Sequence, residues 1–256
     1  MRGGFKLGKL TGRIAVVTGA SKGIGASIAE HLAAEGAAII VNYASSRSDA
    51  EAVVARIVAQ GGQAITVQAD VSKQDEIGRL FSETKRIYGK LDILINNAGI
   101  YEYQPLGAIT PQHFHKQFDL NVLGLLLTTQ EAVKSMGTQG GSIVNVSSIV
   151  GRMPLPKASV YSATKAAVDA ITVSLATELG PKRIRVNSIN PGMVETEGLH
   201  SAGFAGGDFQ RQIEASTPLG RIARPEDIAT AAVFLALDDA GWVTGQTLIL
   251  AGGARH

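Results

Sequence analysis

The sequence predicts a single α/β domain built from parallel βαβ units, and three observations carry that expectation. Short runs of branched apolar residues alternate with helix-length stretches, the pattern of strands joined by crossover helices. A glycine-rich turn, GASKGIG at 19–25, joins the first strand-like run to the first helix-like one. The 256 residues, 45% hydrophobic and 18% charged, suffice for one sizeable core. No linker, internal repeat or low-complexity segment divides them, so residues 1–256 read as one domain.

The elements follow in order. Residues 13–18 (RIAVVT) are short, branched and apolar, a buried strand. A helix pattern runs over 24–35 and stops at Gly36. Residues 38–42 (AIIVN) form the second strand and 49–60 a helix closed by Gly61-Gly62. The third strand is 64–69, and the helix over 75–88 ends at Gly89. Residues 91–95 are the fourth strand. A long helical stretch then spans 111–136, with Asn121 in its middle. Residues 142–146 are the fifth strand, and 151–158 a loop with two prolines. The helix containing Tyr161 runs to Leu179 and halts at Gly180-Pro181. Residues 184–190 are the sixth strand, 225–237 the last clear helix and 247–250 the seventh strand. Between them, 193–217 is irregular and glycine-containing, which suits a substrate lid.

Several stretches carry chemistry. A strand, a glycine turn and a helix start make a phosphate cradle, because glycines admit close backbone approach and the free N–H groups of the helix end favour an anion. Gly19, Ser21, Lys22, Gly23, Ile24 and Gly25 form it, with G-x3-G-x-G spacing. At the end of the second strand an NAD site is expected to place a carboxylate for the ribose 2′-OH. This chain has Asn42, Tyr43, Ala44 and Ser45 there, with Arg47 beyond. No carboxylate repels a 2′-phosphate, and Lys22 and Arg47 could pair with one. Asn96, Asn97, Ala98 and Gly99 close the fourth strand, where ligands bind in open sheets. An Asn in mid-helix is unfavourable unless it has a task. Tyr161 and Lys165 lie four apart at the start of an Ala-rich helix and share a face. A nearby cation lowers a phenol pKa, so the pair reads as an acid/base.

Composition excludes other classes. A formal charge of +2 gives no case for nucleic acid or a membrane surface. Without cysteine there is no disulfide or thiolate chemistry. His113 and His115 are two apart and face different ways on a helix, so no metal site is expected. No uncharged apolar run is long enough to span a bilayer, and the first residues lack an apolar signal region. A cytoplasmic protein is expected.

Taken in this order, TGASKGIG (18–25), NNAG (96–99), NVLG (121–124), NVSS (145–148), YSATK (161–165) and NPG (190–192) resemble the short-chain dehydrogenase/reductase family. The resemblance spans residues 13–253, in the branch with G-x3-G-x-G. It implies a doubly wound, Rossmann-type, seven-stranded parallel sheet with helices on both faces. It also implies hydride transfer between nicotinamide C4 and a carbonyl carbon. Tyr161 would donate the proton, Ser148 would hydrogen-bond the substrate oxygen, and Lys165 would lower the tyrosine pKa and bind the nicotinamide ribose. Asn121 would hold a water linking Lys165 to solvent. Asn97, Ala98 and Gly99 would line the cofactor, Asp70 and Val71 would sit at the adenine, and Pro191, Gly192, Val194 and Thr196 beside the nicotinamide. One departure is Ala251-Gly252-Gly253 where the family often has Asp-Gly-Gly.

The expected cofactor is NADP(H), with NAD(H) possible. The substrate is a small carbonyl compound or alcohol: an acyl thioester, a simple ketone, or a sugar or polyol, bound between 149–159 and 193–217. The resemblance also implies a homotetramer. The run Ala163, Ala166, Ala167, Ala170 with Leu123, Leu125, Leu126 and Leu127 offers more apolar surface than one sheet face needs. A non-catalytic NADP sensor would tend to lose the Ser–Tyr–Lys set, which is intact. A methyltransferase would give YSATK no role.

Overall fold

The structure of the chain is a computed structural model that describes residues 8–201 and 206–254. Seven parallel strands form one sheet in the order β3-β2-β1-β4-β5-β6-β7. In chain order the first half is β1 Ile14–Val17, α1 Gly23–Ala34, β2 Ala38–Tyr43, α2 Arg47–Ala59, β3 Gln63–Gln68, α3 Gln74–Tyr88 and β4 Ile93–Asn96. The second half is α4 Pro111–Phe118, α5 Leu125–Ser135, β5 Gly141–Val146, α6 Ser159–Leu179, β6 Ile184–Pro191, α7 Glu197–Ser201, α8 Asp208–Ser216, α9 Pro225–Ala236 and β7 Thr247–Leu250. The strand order reverses between β1 and β4, and in open α/β sheets the crevice beyond the strand C-termini at that point is the ligand site.

Each face of the sheet carries its own core. Val17, Ile39, Val41 and Ile95 pack with Ile28, Leu32, Val53 and Ile228, while Val16, Ile40, Leu94 and Ile143 pack with Ile77, Leu80, Phe81 and Leu179. Strands buried on both faces explain the continuous apolar runs of the sequence. Local signals set the helix ends. Thr110 caps α4 by accepting from the His113 N–H at 3.1 Å, with Pro111 in the first turn. Gly89 ends α3 in the left-handed region, φ 77°.

Two expectations change. The helix over 111–136 is not continuous α: Asp119–Gly124 is a π-helical turn between α4 and α5. A side chain on Gly124 would strike the Val71 carbonyl, so the extra residue of the π turn brings backbone against the end of the 70–71 segment. Segment 193–217 is not wholly irregular, since α7 and α8 lie in it, and residues 202–205 of it fall outside the described residues. Among the described residues no helix is long and apolar enough to cross a membrane. Trp242, the sole tryptophan, is 100% exposed.

Candidate active site

The glycine turn after β1 is held from three sides. Gly19 has φ +60°, donates its N–H to Asn42 Oδ1 at 3.2 Å, and would drive a Cβ to 2.9 Å from Ala98 Cα. Asn97 donates through Nδ2 to the Thr18 and Gly19 carbonyls at 2.9 and 3.0 Å. The backbone N–H groups of Asn97 and Ala98 both reach Thr18 Oγ1 at 3.0 Å. At Gly25 a Cβ would run into Asn97 Nδ2 and the Gly19 carbonyl. The helix then starts at Gly23 with Lys22 at its N-cap, without a side-chain cap and with no acidic residue in its first turn. Its orphan N–H groups and positive end therefore suit a pyrophosphate, which fits a dinucleotide cofactor. Ser21 and Ile24 are half-buried in this turn, and the exposed Lys22 ion-pairs with no carboxylate among the described residues. The segment after β6 lies over the same turn: a Cβ on Gly23 would be 3.4 Å from Thr196 Cγ2.

The end of β2 differs from its sequence reading. Asn42 is 1% exposed and gives both amide hydrogens to the Val67 and Ala69 carbonyls, at 3.2 and 3.0 Å. With Oδ1 on Gly19, it ties the glycine turn to β3, a positioning task that a strand-end residue on the sheet side naturally takes. Tyr43 is buried in the core, while Ala44 and Ser45 are exposed. Arg47 pairs with Glu51 at 2.7 Å on the solvent side of α2, an exposed pair worth about 0–1 kcal/mol. At the end of β3, Asp70 accepts from the Ser72 N–H and hydroxyl at 3.0 and 2.7 Å. Burial pushes its carboxyl up, but these bonds and Lys73 outweigh it and the pKa falls below the usual carboxylate value. Val71 beside it is buried against Gly124.

Asn121, Ser148, Tyr161 and Lys165 converge at the C-terminal ends of β4 and β5. Asn121 accepts from the Ile100 N–H at 2.9 Å and donates to the Ile100 carbonyl and Thr164 Oγ1 at 2.8 and 3.2 Å. The π turn thus clamps the chain just after Gly99. Gly99 leaves room there, since a Cβ would sit 3.1 Å from Asn121 Oδ1 and 3.7 Å from Lys165 Nζ. Lys165 is 6% exposed and donates Nζ to the Val146 carbonyl at 2.9 Å, with Ser147 Oγ bonded to its own carbonyl at 3.1 Å. Ser148 caps the short turn Ile149–Gly151, its Oγ 3.4 Å from the Val150 N–H, and it lies near enough to the Tyr161 phenol to favour its ionised form.

The electrostatics also depart from expectation. Burial pushes the Tyr161 phenol well above its ordinary value, with Tyr103 and Tyr101 adding to the rise and Ser148 opposing it. Lys165 Nζ is 5.8 Å from the centre of the Tyr161 ring, and its charge does not overcome that desolvation. The lysine itself is lowered to about 8 by burial, against the pull of Asp169. The expected downward shift of the phenol is therefore absent.

Sequence reasoning missed three participants. Tyr101 and Tyr103 pack on Tyr161, with ring centres 6.0 and 6.2 Å from it. Tyr101 also donates to the Gly198 carbonyl at 2.8 Å, joining the post-β4 loop to segment 193–217. Asp169 accepts from Asn190 Nδ2 at 2.9 and 2.8 Å, immediately before Pro191 and Gly192. The signal for Asp169 was its spacing, one helical turn beyond Lys165 on the same face; the tyrosines had none, since tertiary structure alone brings them there. Pro191 and Val194 are buried, and Val194 bridges to Ala223 beyond the lid.

A family model described as enoyl-(acyl carrier protein) reductase matches residues 19–255. An uncharacterised oxidoreductase of Methylorubrum extorquens is 52% identical over 249 residues, covering 97% of this chain and 100% of that protein. A hydroxynaphthalene reductase-like protein of Metarhizium robertsii is 38% identical, covering 96% of each chain. Among solved structures, a short-chain dehydrogenase from Burkholderia cenocepacia in complex with NADP superposes with a TM-score of 0.90 at 34% identity, covering 96% of this chain and 99% of that one. A dehydrogenase/reductase from Sinorhizobium meliloti gives a TM-score of 0.91 at 37% identity, with 96% of each chain covered.

Proposed function

The chain belongs to the short-chain dehydrogenase/reductase family, and on that premise we propose that this NAD(P)-dependent oxidoreductase is an NADP(H)-dependent carbonyl reductase acting on ketones and secondary alcohols. The observation that carries the reading is the convergence of Ser148, Tyr161 and Lys165 beside a cradle whose helix end is uncapped and free of acids. When bound, a nicotinamide cofactor supplies or accepts the hydride. Tyr161 Oη, protonated across the neutral range because burial disfavours the phenolate, donates a proton to the carbonyl oxygen. Ser148 Oγ orients that oxygen and stabilises charge developing on it. Lys165 places a positive charge against the same locus and, with the Asn121 clamp, keeps the 97–100 segment in place.

The pH dependence has a definite sign. Reduction uses the protonated phenol and the charged lysine, so it weakens as pH rises through about 8, where Lys165 loses its proton. Alcohol oxidation needs the phenolate and gains with pH.

Support for NADPH over NADH is the lack of a carboxylate among residues 42–48, the unpaired Lys22 and the NADP bound to the Burkholderia relative. The decisive assay follows NADPH and NADH oxidation against ketones, acyl-thioester models and sugars, in wild type, Lys22→Ala and Tyr161→Phe. Tyr161→Phe should lose on the order of 10²–10⁴-fold in kcat with cofactor affinity retained. Near-normal turnover in that variant removes Tyr161 as the acid; equal or better efficiency with NADH in wild type removes the NADPH preference.

A homotetramer is part of the same proposal. Leu123, Ala163, Ala166 and Ala170 are exposed, as is Val173, while Leu126, Leu127 and Ala167 are half-buried and Leu125 is buried. That apolar strip along the π turn and α6 suits contact with another copy. Light scattering that returns the mass of one chain at micromolar concentration refutes it.

A further inference from the structure

We infer that Asp169 is a positioning residue for the reaction: one helical turn beyond Lys165, its carboxylate is the lysine's counter-charge and, through Asn190 and Arg152, locks together the two chain segments that frame the nicotinamide side of the site. The inference rests on the reading of Lys165 given above.

The geometry begins with burial. The Asp169 side chain is 13% exposed, yet it is an ionisable group inside the fold. Such a carboxylate is tolerated only when hydrogen-bonded and paired. Both oxygens accept from Asn190 Nδ2, at 2.9 and 2.8 Å. Ser188 Oγ shares its hydrogen between Asn190 Oδ1 at 2.9 Å and Asp169 Oδ1 at 3.3 Å. Arg152 Nε approaches the other oxygen at 3.4 Å, and its guanidinium also reaches Thr247 Oγ1 on β7.

These partners are not scattered. Asn190 is the last residue before Pro191-Gly192, the backbone that leads into the segment over the glycine turn. Arg152 directly follows the turn that Ser148 caps. That turn sits hard against the lysine: a Cβ on Gly151 would be 2.9 Å from the Lys165 carbonyl carbon and the Ala166 nitrogen. One carboxylate thus joins the Ser148 turn, the end of β6 and the helix bearing Tyr161 and Lys165.

The charges around Lys165 make Asp169 its counterweight. Burial lowers the lysine and Asp169 is the group that raises it. The Val146 carbonyl, which accepts from Nζ, and Ser147, which donates to the lysine's carbonyl, are neutral partners. On its own helix Tyr161 is protonated. From the neighbouring loop, Arg152 is a second cation, and it contacts Asp169 at 3.4 Å. Other charged groups on packed elements are engaged elsewhere: Asp119 of the π turn pairs with His115 at 3.5 Å, Lys116 of α4 with Glu102, and Arg185 of β6 donates to the Leu235 and Leu237 carbonyls.

The test titrates Lys165 directly, by the ¹³Cε shift of labelled lysine assigned with Lys165→Arg, in wild type, Asp169→Asn and Arg152→Gln. Circular dichroism and melting verify that each variant folds. Wild type should titrate near 8. Asp169→Asn should move the midpoint down by about one unit and Arg152→Gln should move it up. The alkaline limb of kcat/KM for ketone reduction should follow, leaving Asp169→Asn about fivefold weaker than wild type at pH 8, the ratio of charged fractions for a shift of about one unit. If Asp169→Asn fails to fold, Arg152→Gln alone decides, because Arg152 is largely exposed. Unchanged midpoints overturn the inference. Midpoints that move while the rate profile stays fixed instead overturn the catalytic reading of Lys165.

Discussion

The cradle around Thr18–Gly25 and the lid over 193–217 meet at the same crevice, but they are built to opposite standards. In the cradle the turn ahead of the open helix end is held by buried side chains: Asn42 and Asn97 each spend both amide hydrogens on backbone carbonyls. In the lid, α8 buries no residue at all. Its attachments to the rest of the fold include the Tyr101 bond to Gly198, the short pairing of Met193 and Glu195 with Ala223, and the approach of Thr196 to Gly23. A cofactor is the same molecule for every reaction of this type, so its site can be over-determined. A substrate pocket bounded by a sparsely held segment can be reshaped without disturbing the sheet, which is where specificity resides.

Two variants sharpen that contrast, the larger effect first. Gly25→Ala places a methyl against Asn97 Nδ2 and the Gly19 carbonyl. It should destabilise the fold by about 1–3 kcal/mol, the usual cost of overpacking, and weaken cofactor binding at least tenfold. Chemical denaturation and cofactor titration read both, and a variant with native stability and affinity breaks the claim that the cradle is rigid. Tyr101→Phe removes the bond between the post-β4 loop and the lid while leaving the ring in place. An exposed hydrogen bond contributes about 0.5–1.5 kcal/mol, so KM for the ketone should rise a few fold, with melting temperature and cofactor affinity unchanged. A matching fall in stability would mean that the lid is structural after all.

The contrast also explains what was legible in the sequence. The seven strands and the glycine turn could be read because each is specified locally, by apolar runs and by punctuation at Gly36, Gly89 and Gly180. Tyr161 and Lys165 could be read because a single helical turn relates them. Asn42 was legible as the end of a strand, but what its side chain holds was not. Its side chain answers to β3, 25 and 27 residues away along the chain, and no local rule reports that. The π turn at Asp119–Gly124 was hidden for a similar reason: its residues have ordinary helical dihedrals at both ends, and the backbone approach to Val71 that accompanies it is tertiary. The phenol pKa went the wrong way because the sequence shows the cation but not the desolvation around the hydroxyl, and burial is the larger influence.

Trp242 gives the molecule an unusual optical character. The single indole is fully exposed while three of the five tyrosines, Tyr101, Tyr103 and Tyr161, cluster at the reaction centre. In the isolated subunit its emission is that of a solvated indole in native and denatured states alike, so tryptophan fluorescence is nearly blind to the melting of both cores. The same exposure makes it a clean probe of its own surroundings: any contact that dries the indole shifts the emission to the blue without a change in fold.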